Sequence, residues 1–132
     1  PDGAPVICIF GEIDCREGLL VAVERMRYPD LEAGVAHTVK IYIDTLKAIA
    51  QARKFTVLVH PVPPVLNETR HIVTLFNRQL VKAVAKEPSL TMLDFFDDLL
   101  TPDGKGLADG LALDGTHLHP SYVSLLEAAL PA

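Results

Sequence analysis

Hydrophobic residues follow two rhythms along this chain. Val6-Ile7-Cys8-Ile9-Phe10 is an unbroken apolar run stopped by Gly11, and Phe55-Thr56-Val57-Leu58-Val59-His60 is a second, stopped by Pro61, Pro63 and Pro64. Neither alternates apolar with polar, which predicts strands buried on both faces, as in a parallel sheet. Leu90 to Phe96 is a third strand candidate, ending in Asp97-Asp98. Between these runs the apolar spacing changes to three and four residues. Val39, Tyr42, Ile43, Leu46, Ile49 and Ala50 share one face of a helix predicted from about Ala33 to Arg53. Ile72, Val73, Phe76, Leu80 and Val84 do the same from about Glu68 to Lys86. Ser121 is suited to cap a closing helix whose inner face is Tyr122, Leu125, Leu126, Ala129 and Leu130.

Strands alternating with helices of this length predict βαβ units, hence an α/β fold with a parallel sheet. Residues 1–132 fit one domain, with no internal repeat or linker. Parallel sheets receive ligands beyond the carboxyl ends of their strands. Gly11-Glu12-Ile13-Asp14, His60-Pro61, Asp97-Asp98 and the Asp114/His117 loop all fall at that edge. Three strands are few, so one apolar sheet edge is expected to stand open. A missing segment, a partner chain or self-association into a homo-oligomer would cover it. The first residues, Pro1-Asp2-Gly3-Ala4-Pro5, run straight into a strand and read as a cut through a longer chain.

Charge and cysteine content narrow the function class. The net charge is −5 and the basic residues are scattered, which excludes the basic surface a nucleic acid needs. Cys8 and Cys15 make neither a disulfide framework nor a zinc cluster. No stretch is long enough to cross a bilayer and no leader precedes Val6, leaving the cytoplasm as the default location.

The chemistry sits in Leu113-Asp114-Gly115-Thr116-His117-Leu118-His119-Pro120. A carboxylate on one imidazole nitrogen fixes the tautomer and supports the imidazolium formed when the other nitrogen takes a proton. The plainer alternative is that Asp114 caps a turn and His117 precedes a helix by chance. His119 reads as a surface residue or as one that supports the pair from behind. No serine is placed like a nucleophile: Ser89 precedes the third strand, and Ser121 and Ser124 lie in the closing helix. Cys15 reads first as an ordinary loop cysteine, and as a thiol nucleophile only if Arg16 lowers its pKa. His60, Asp97, Asp98, Asp114, His117 and His119 offer metal donors but lack any tight ligand spacing, so no metal and no cofactor is expected.

These residues resemble the C-terminal part of an SGNH (GDSL-like) hydrolase domain, a serine esterase family with a flavodoxin-like three-layer α/β/α fold. Leu113 to Pro120 is similar to the family's last block, which implies catalytic roles for Asp114 and His117. Phe10-Gly11-Glu12-Ile13-Asp14 occupies the place of its Gly-x-Asn-Asp block, which implies oxyanion or substrate-binding roles around Gly11, Glu12 and Asp14. The His60-Pro61 turn, the Phe76-Asn77 helix and the Leu93-Asp94-Phe95-Phe96 strand fall in the family's order, which adds His60 to the candidate substrate-binding residues. Two departures stand out. Ile13 replaces the oxyanion Asn, and Arg16 is the candidate substitute, positioned by Glu12; the rival reading is an Asp14–Arg16 ion pair that shapes the loop. The Gly-Asp-Ser block would lie on a strand upstream of these residues, so the fold is expected to be incomplete, with three strands and three helices. The implied function is the C-terminal portion of a serine esterase acting on a small ester or O-acetyl carbohydrate. The alternatives are an inactive carbohydrate- or acyl-binding module and a structural domain that pairs through its open edge. Asp114 on one nitrogen of His117 and the other facing the sheet edge would support the triad; with His117 facing solvent, the site reading fails.

Overall fold

A computed structural model describes residues 1–132. Three parallel strands, β1 (Pro5–Cys8), β2 (Thr56–Val59) and β3 (Leu90–Met92), form one sheet in that order. A π-helical turn (Asp14–Gly18) leads into α1 (Leu19–Glu24). The crossovers are α2 (Leu31–Arg53), between β1 and β2, and α3 (Arg70–Val84), between β2 and β3, and α4 (Val123–Ala129) closes the chain. The result is a mixed α/β domain with its sheet flanked by helices, consistent with a three-layer arrangement.

The long helix starts and stops for local reasons. The Asp30 carboxylate accepts the Ala33 N–H at 2.8 Å, filling a donor that the first turn would leave unpaired. At the other end Lys54 takes a left-handed conformation, φ 54°, and breaks the spiral. Val39, Ile43, Leu46 and Ala50 are buried as their spacing predicts, but Ile49, expected on the same face, is 41% exposed. Ile49 instead lines a surface groove with Ile41, Thr45 and Phe10, beside the β1 edge. All five predicted inner residues of α3 are buried. Enclosing each of Ile72, Phe76 and Leu80 is worth about 1.5–3 kcal/mol over leaving it in water.

The two apolar runs differ in burial. β2 is central, and Val57, Leu58 and Val59 are all buried, as expected. For β1 the expectation of burial on both faces is wrong. Val6 and Cys8 are half-buried, whereas Ile7 and Ile9 are 43% and 45% exposed and Phe10 is 62% exposed. The ladder explains the edge: Thr56 N–H donates to Ala4 O and His60 N–H to Cys8 O, so alternate residues turn their backbone toward β2. Pro5, Ile7 and Ile9 therefore point theirs outward, where no strand receives it.

Other boundaries also move. β3 stops at Met92 rather than Phe96, because after Leu93 the chain turns and Phe95 N–H bonds back to Leu93 O. Phe95 and Phe96 are then both buried, which adjacent residues on a one-sided strand could not be. The polar stretch after Gly11 is helical, so the chain has four α-helices rather than three. Ser121 does not cap the closing segment. The side chain of His119 accepts the Ser121 N–H there, and Ser121 Oγ donates to Gly110 O at 3.1 Å.

Two buried polar side chains hold the carboxyl edge in shape. Asn77 accepts the Val62 N–H at 2.8 Å and donates to Val62 O at 2.9 Å, satisfying both backbone groups of a proline-flanked residue. The buried Arg70 guanidinium donates to Pro64 O, Val65 O and Lys105 O and to Asn67 Oδ1, tying two loops together through oxygens alone. No helix is long and apolar enough to cross a membrane.

Candidate active site

Asp114 and His117 sit on a tight turn closed by backbone pairing. Ala112 and Leu118 form an antiparallel bridge, and Leu113 N–H donates to His117 O at 3.2 Å. Gly115 at the tip has φ 82°, the left-handed region where a Cβ is strained. With the chain folded back, one oxygen of Asp114 accepts the N–H groups of Thr116 and His117, at 2.9 and 2.8 Å. The other oxygen takes the Nδ1 proton of His117 at 2.8 Å. These bonds, the one from the His117 ring foremost, hold the Asp114 carboxyl down at about 2. The carboxylate caps the turn, as the plainer alternative expects, and the same turn fixes the imidazole by Nδ1. Nε2 of His117 makes no protein hydrogen bond, which leaves it able to take a proton.

His117 lines an open cleft of about 480 Å³ together with Glu12, Ile13, Arg16 and Tyr122. Ile9 at the end of β1, Pro63 beyond β2, Thr116 and Leu118 complete its wall. The cleft is therefore at the carboxyl edge, as expected. Enclosure is absent: the His117 side chain is 71% exposed and that of Asp114 50%.

Arg16 reaches this cleft from the π-helical turn. Its guanidinium lies 3.7 Å from Glu12 and 3.8 Å from Glu17. An Asp14–Arg16 ion pair, the alternative drawn from sequence, does not form. Asp14 and Gly11 instead line a separate groove with Phe10, Tyr28, Tyr42 and Phe76. Gly11 has a packing reason for its identity: φ is 107°, and a Cβ there would fall 2.9 Å from the Phe76 ring. His60 is also outside the cleft. It is 2% exposed, donates from Nδ1 toward Pro61 O at 2.6 Å, and stacks edge-on against Phe95 and Tyr122. Burial pushes its pKa below the ordinary imidazole value, and Nε2 has no partner.

The structure removes Cys15 as a nucleophile. Its thiol is fully buried and pushed up to about 12, by burial first and then by the charges of Asp14 and Glu12, which outweigh any help from Arg16. None of Ser89, Ser121 and Ser124 lines the cleft; its hydroxyls are those of Thr116 and Tyr122. No three His, Cys, Asp or Glu side chains gather as metal ligands would.

Sequence reasoning found the charged residues of the cleft and missed its wall. Ile9 and Pro63 were legible in principle as the residues just past two parallel strands. Tyr122 was assigned to a helix's inner face and does both jobs: it packs on the core and borders His117. No family model, no curated protein and no solved structure matches this chain.

Proposed function

We propose that this chain is the C-terminal part of a serine ester hydrolase of the SGNH (GDSL-like) kind, with that family's flavodoxin-like three-layer fold. The observation that carries the reading is the Asp114–His117 pair, bonded at 2.8 Å, opening into a cleft beside the unpaired edge of β1. A strand laid along that edge would meet the outward backbone of Ile7 and Ile9, and a helix following it would cover their exposed side chains. Its C-terminal end would arrive at the cleft, next to Ile9 and His117. A nucleophilic serine at that point would give its proton to His117 Nε2 while Oγ attacks the ester carbonyl. His117 would return the proton to the departing alcohol oxygen, and water would then release the acid by the same two transfers. Asp114 would support the imidazolium throughout. The donor of that serine is a segment outside these residues or a partner chain; the substrate is a small ester or an O-acetylated sugar.

A second reading rests on Ile13. It is 59% exposed in the cleft at the place where the resemblance calls for an amide donor, and an isoleucine cannot donate. Losing one such donor costs about 3 kcal/mol of transition-state stabilisation. Without a substitute the cleft would bind an acyl or sugar group and not turn it over. A domain that only docks through its open edge, a second copy of itself included, is the third.

The test is to express the chain with its upstream coding region or partner and measure p-nitrophenyl acetate hydrolysis. The esterase reading expects a Gly-Asp-Ser after an apolar strand, and a His117→Ala loss on the order of 10³-fold or more. Equal rates with and without His117 would reject it.

A further inference from the structure

Arg16 is the one cationic side chain that lines the cleft without a protein hydrogen bond. Its side chain is 36% exposed, its Nε is buried without a partner, and it makes no hydrogen bond. At 3.7 and 3.8 Å, Glu12 and Glu17 share charge with it but are too distant to accept its protons. Glu12 borders the cleft and Glu17 is mostly solvated, at 71% exposure, so neither fills the guanidinium fork. A half-buried guanidinium in this state pays desolvation without the bonds that would offset it. With Nε enclosed, the N–H groups of the two terminal nitrogens remain to be filled, and the group that fits them is a carboxylate, which accepts two side by side. Beside the fork the wall turns apolar, through Ile9, Ile13, Leu118 and Tyr122.

We infer that the cleft is a carboxylate subsite, in which Arg16 grips a free carboxylate whose compact apolar body lies along Ile13, Leu118 and Tyr122. This rests on the esterase reading only in naming the ligand a substrate: an ester that carries a second, unesterified carboxyl group. It also gives Arg16 a task other than replacing the oxyanion donor, because a fork engaged with a ground-state carboxylate holds the substrate still and leaves the oxyanion to other N–H groups. Ile13 then contributes contact area to the bound body instead of marking a lost activity.

The test uses the 132-residue chain as it stands. Sodium benzoate and benzamide have the same ring, and only one is an anion. In an NMR titration at fixed ionic strength, benzoate should shift the Arg16 Nε–H and the His117 ring together and saturably. Benzamide should bind at least tenfold more weakly. Arg16→Gln should abolish the benzoate response. Equal binding of the two ligands, no saturable benzoate shift, or a benzoate response that survives Arg16→Gln overturns the subsite. The comparison of the two ligands needs no variant, so misfolding of Arg16→Gln cannot mask the answer. Benzoate binding with no His117-dependent hydrolysis in the completed protein would sink the esterase reading alone. Full hydrolysis with no benzoate binding would sink this inference alone.

Discussion

β1 and β2 are written in nearly the same alphabet and meet opposite fates. Val57, Leu58 and Val59 lie inside the molecule with a strand on each side, whereas Ile7 and Ile9 are more than two-fifths exposed with a strand on one side only. The same split runs through the whole domain. On the closed side, α3 and the prolines after β2 are pinned by Phe76, Asn77 and Arg70. On the open side, the β1 edge, the outer flank of α2 and the His117 turn face water, and α4 has no buried residue. An apolar run states what a strand can tolerate on its faces; its neighbours decide what it receives.

The largest break in this comparison should come from Phe76→Ala, which opens a cavity under Gly11 and Val62. A loss of about 3–5 kcal/mol in urea unfolding is expected, typical of a fully enclosed aromatic. Asn77→Ala should follow at about 2–4 kcal/mol, since it strands both buried backbone groups of Val62. Gly11→Ala should cost about 1–3 kcal/mol through its left-handed backbone and the approach to Phe76. At the far end, Ile7→Thr should stay within about 0.5 kcal/mol, as an exposed edge substitution. A loss above 2 kcal/mol there would mean that the edge is covered in solution, which a change in sedimentation on dilution would show.

Acid should reach the two sides in a set order. His60 has a lowered folded-state pKa, so the unfolded chain protonates first. The stability it contributes is complete above about pH 6.5 and declines as pH falls toward the lowered value. Asp114 is depressed as well, to about 2, so its contribution is present above its ordinary 3.8 and goes only as pH approaches 2. Urea midpoints should therefore begin to fall below about pH 6.5 in the parent but less so in His60→Phe. The His117 Nδ1–H signal should outlast that change, and its loss before the midpoint moves would reverse the order.

Much of this was legible in the chain. The strand–helix alternation and the inner face of α3 followed from spacing, and the Asp114–His117 pair was legible as a candidate whose bond the turn then supplies. The rest depended on contacts between distant residues. Ile49 and Ile7 look like core until the β1 edge is seen to lack a neighbour. Asn77 and Arg70 look like surface until their backbone partners fold over them. Cys15 and Arg16 are adjacent in sequence, but the helix turns one inward and the other toward the cleft.

That divergence has a cause in helical phase. Between Asp14 and Gly18 the chain winds with π-type bonds, Leu19 N–H returning to Asp14 O, five residues back. Such a turn holds about one residue more than an α-helical one, and each residue advances the spiral by about 100°. Deleting one residue here would reseat the turn as ordinary α-helix and rotate Arg16 relative to α1 by roughly that angle. The guanidinium would swing off the cleft while every residue of the His117 turn kept its place. One surplus residue thus acts as an angular gauge, setting where a charge points without touching the sheet that carries it.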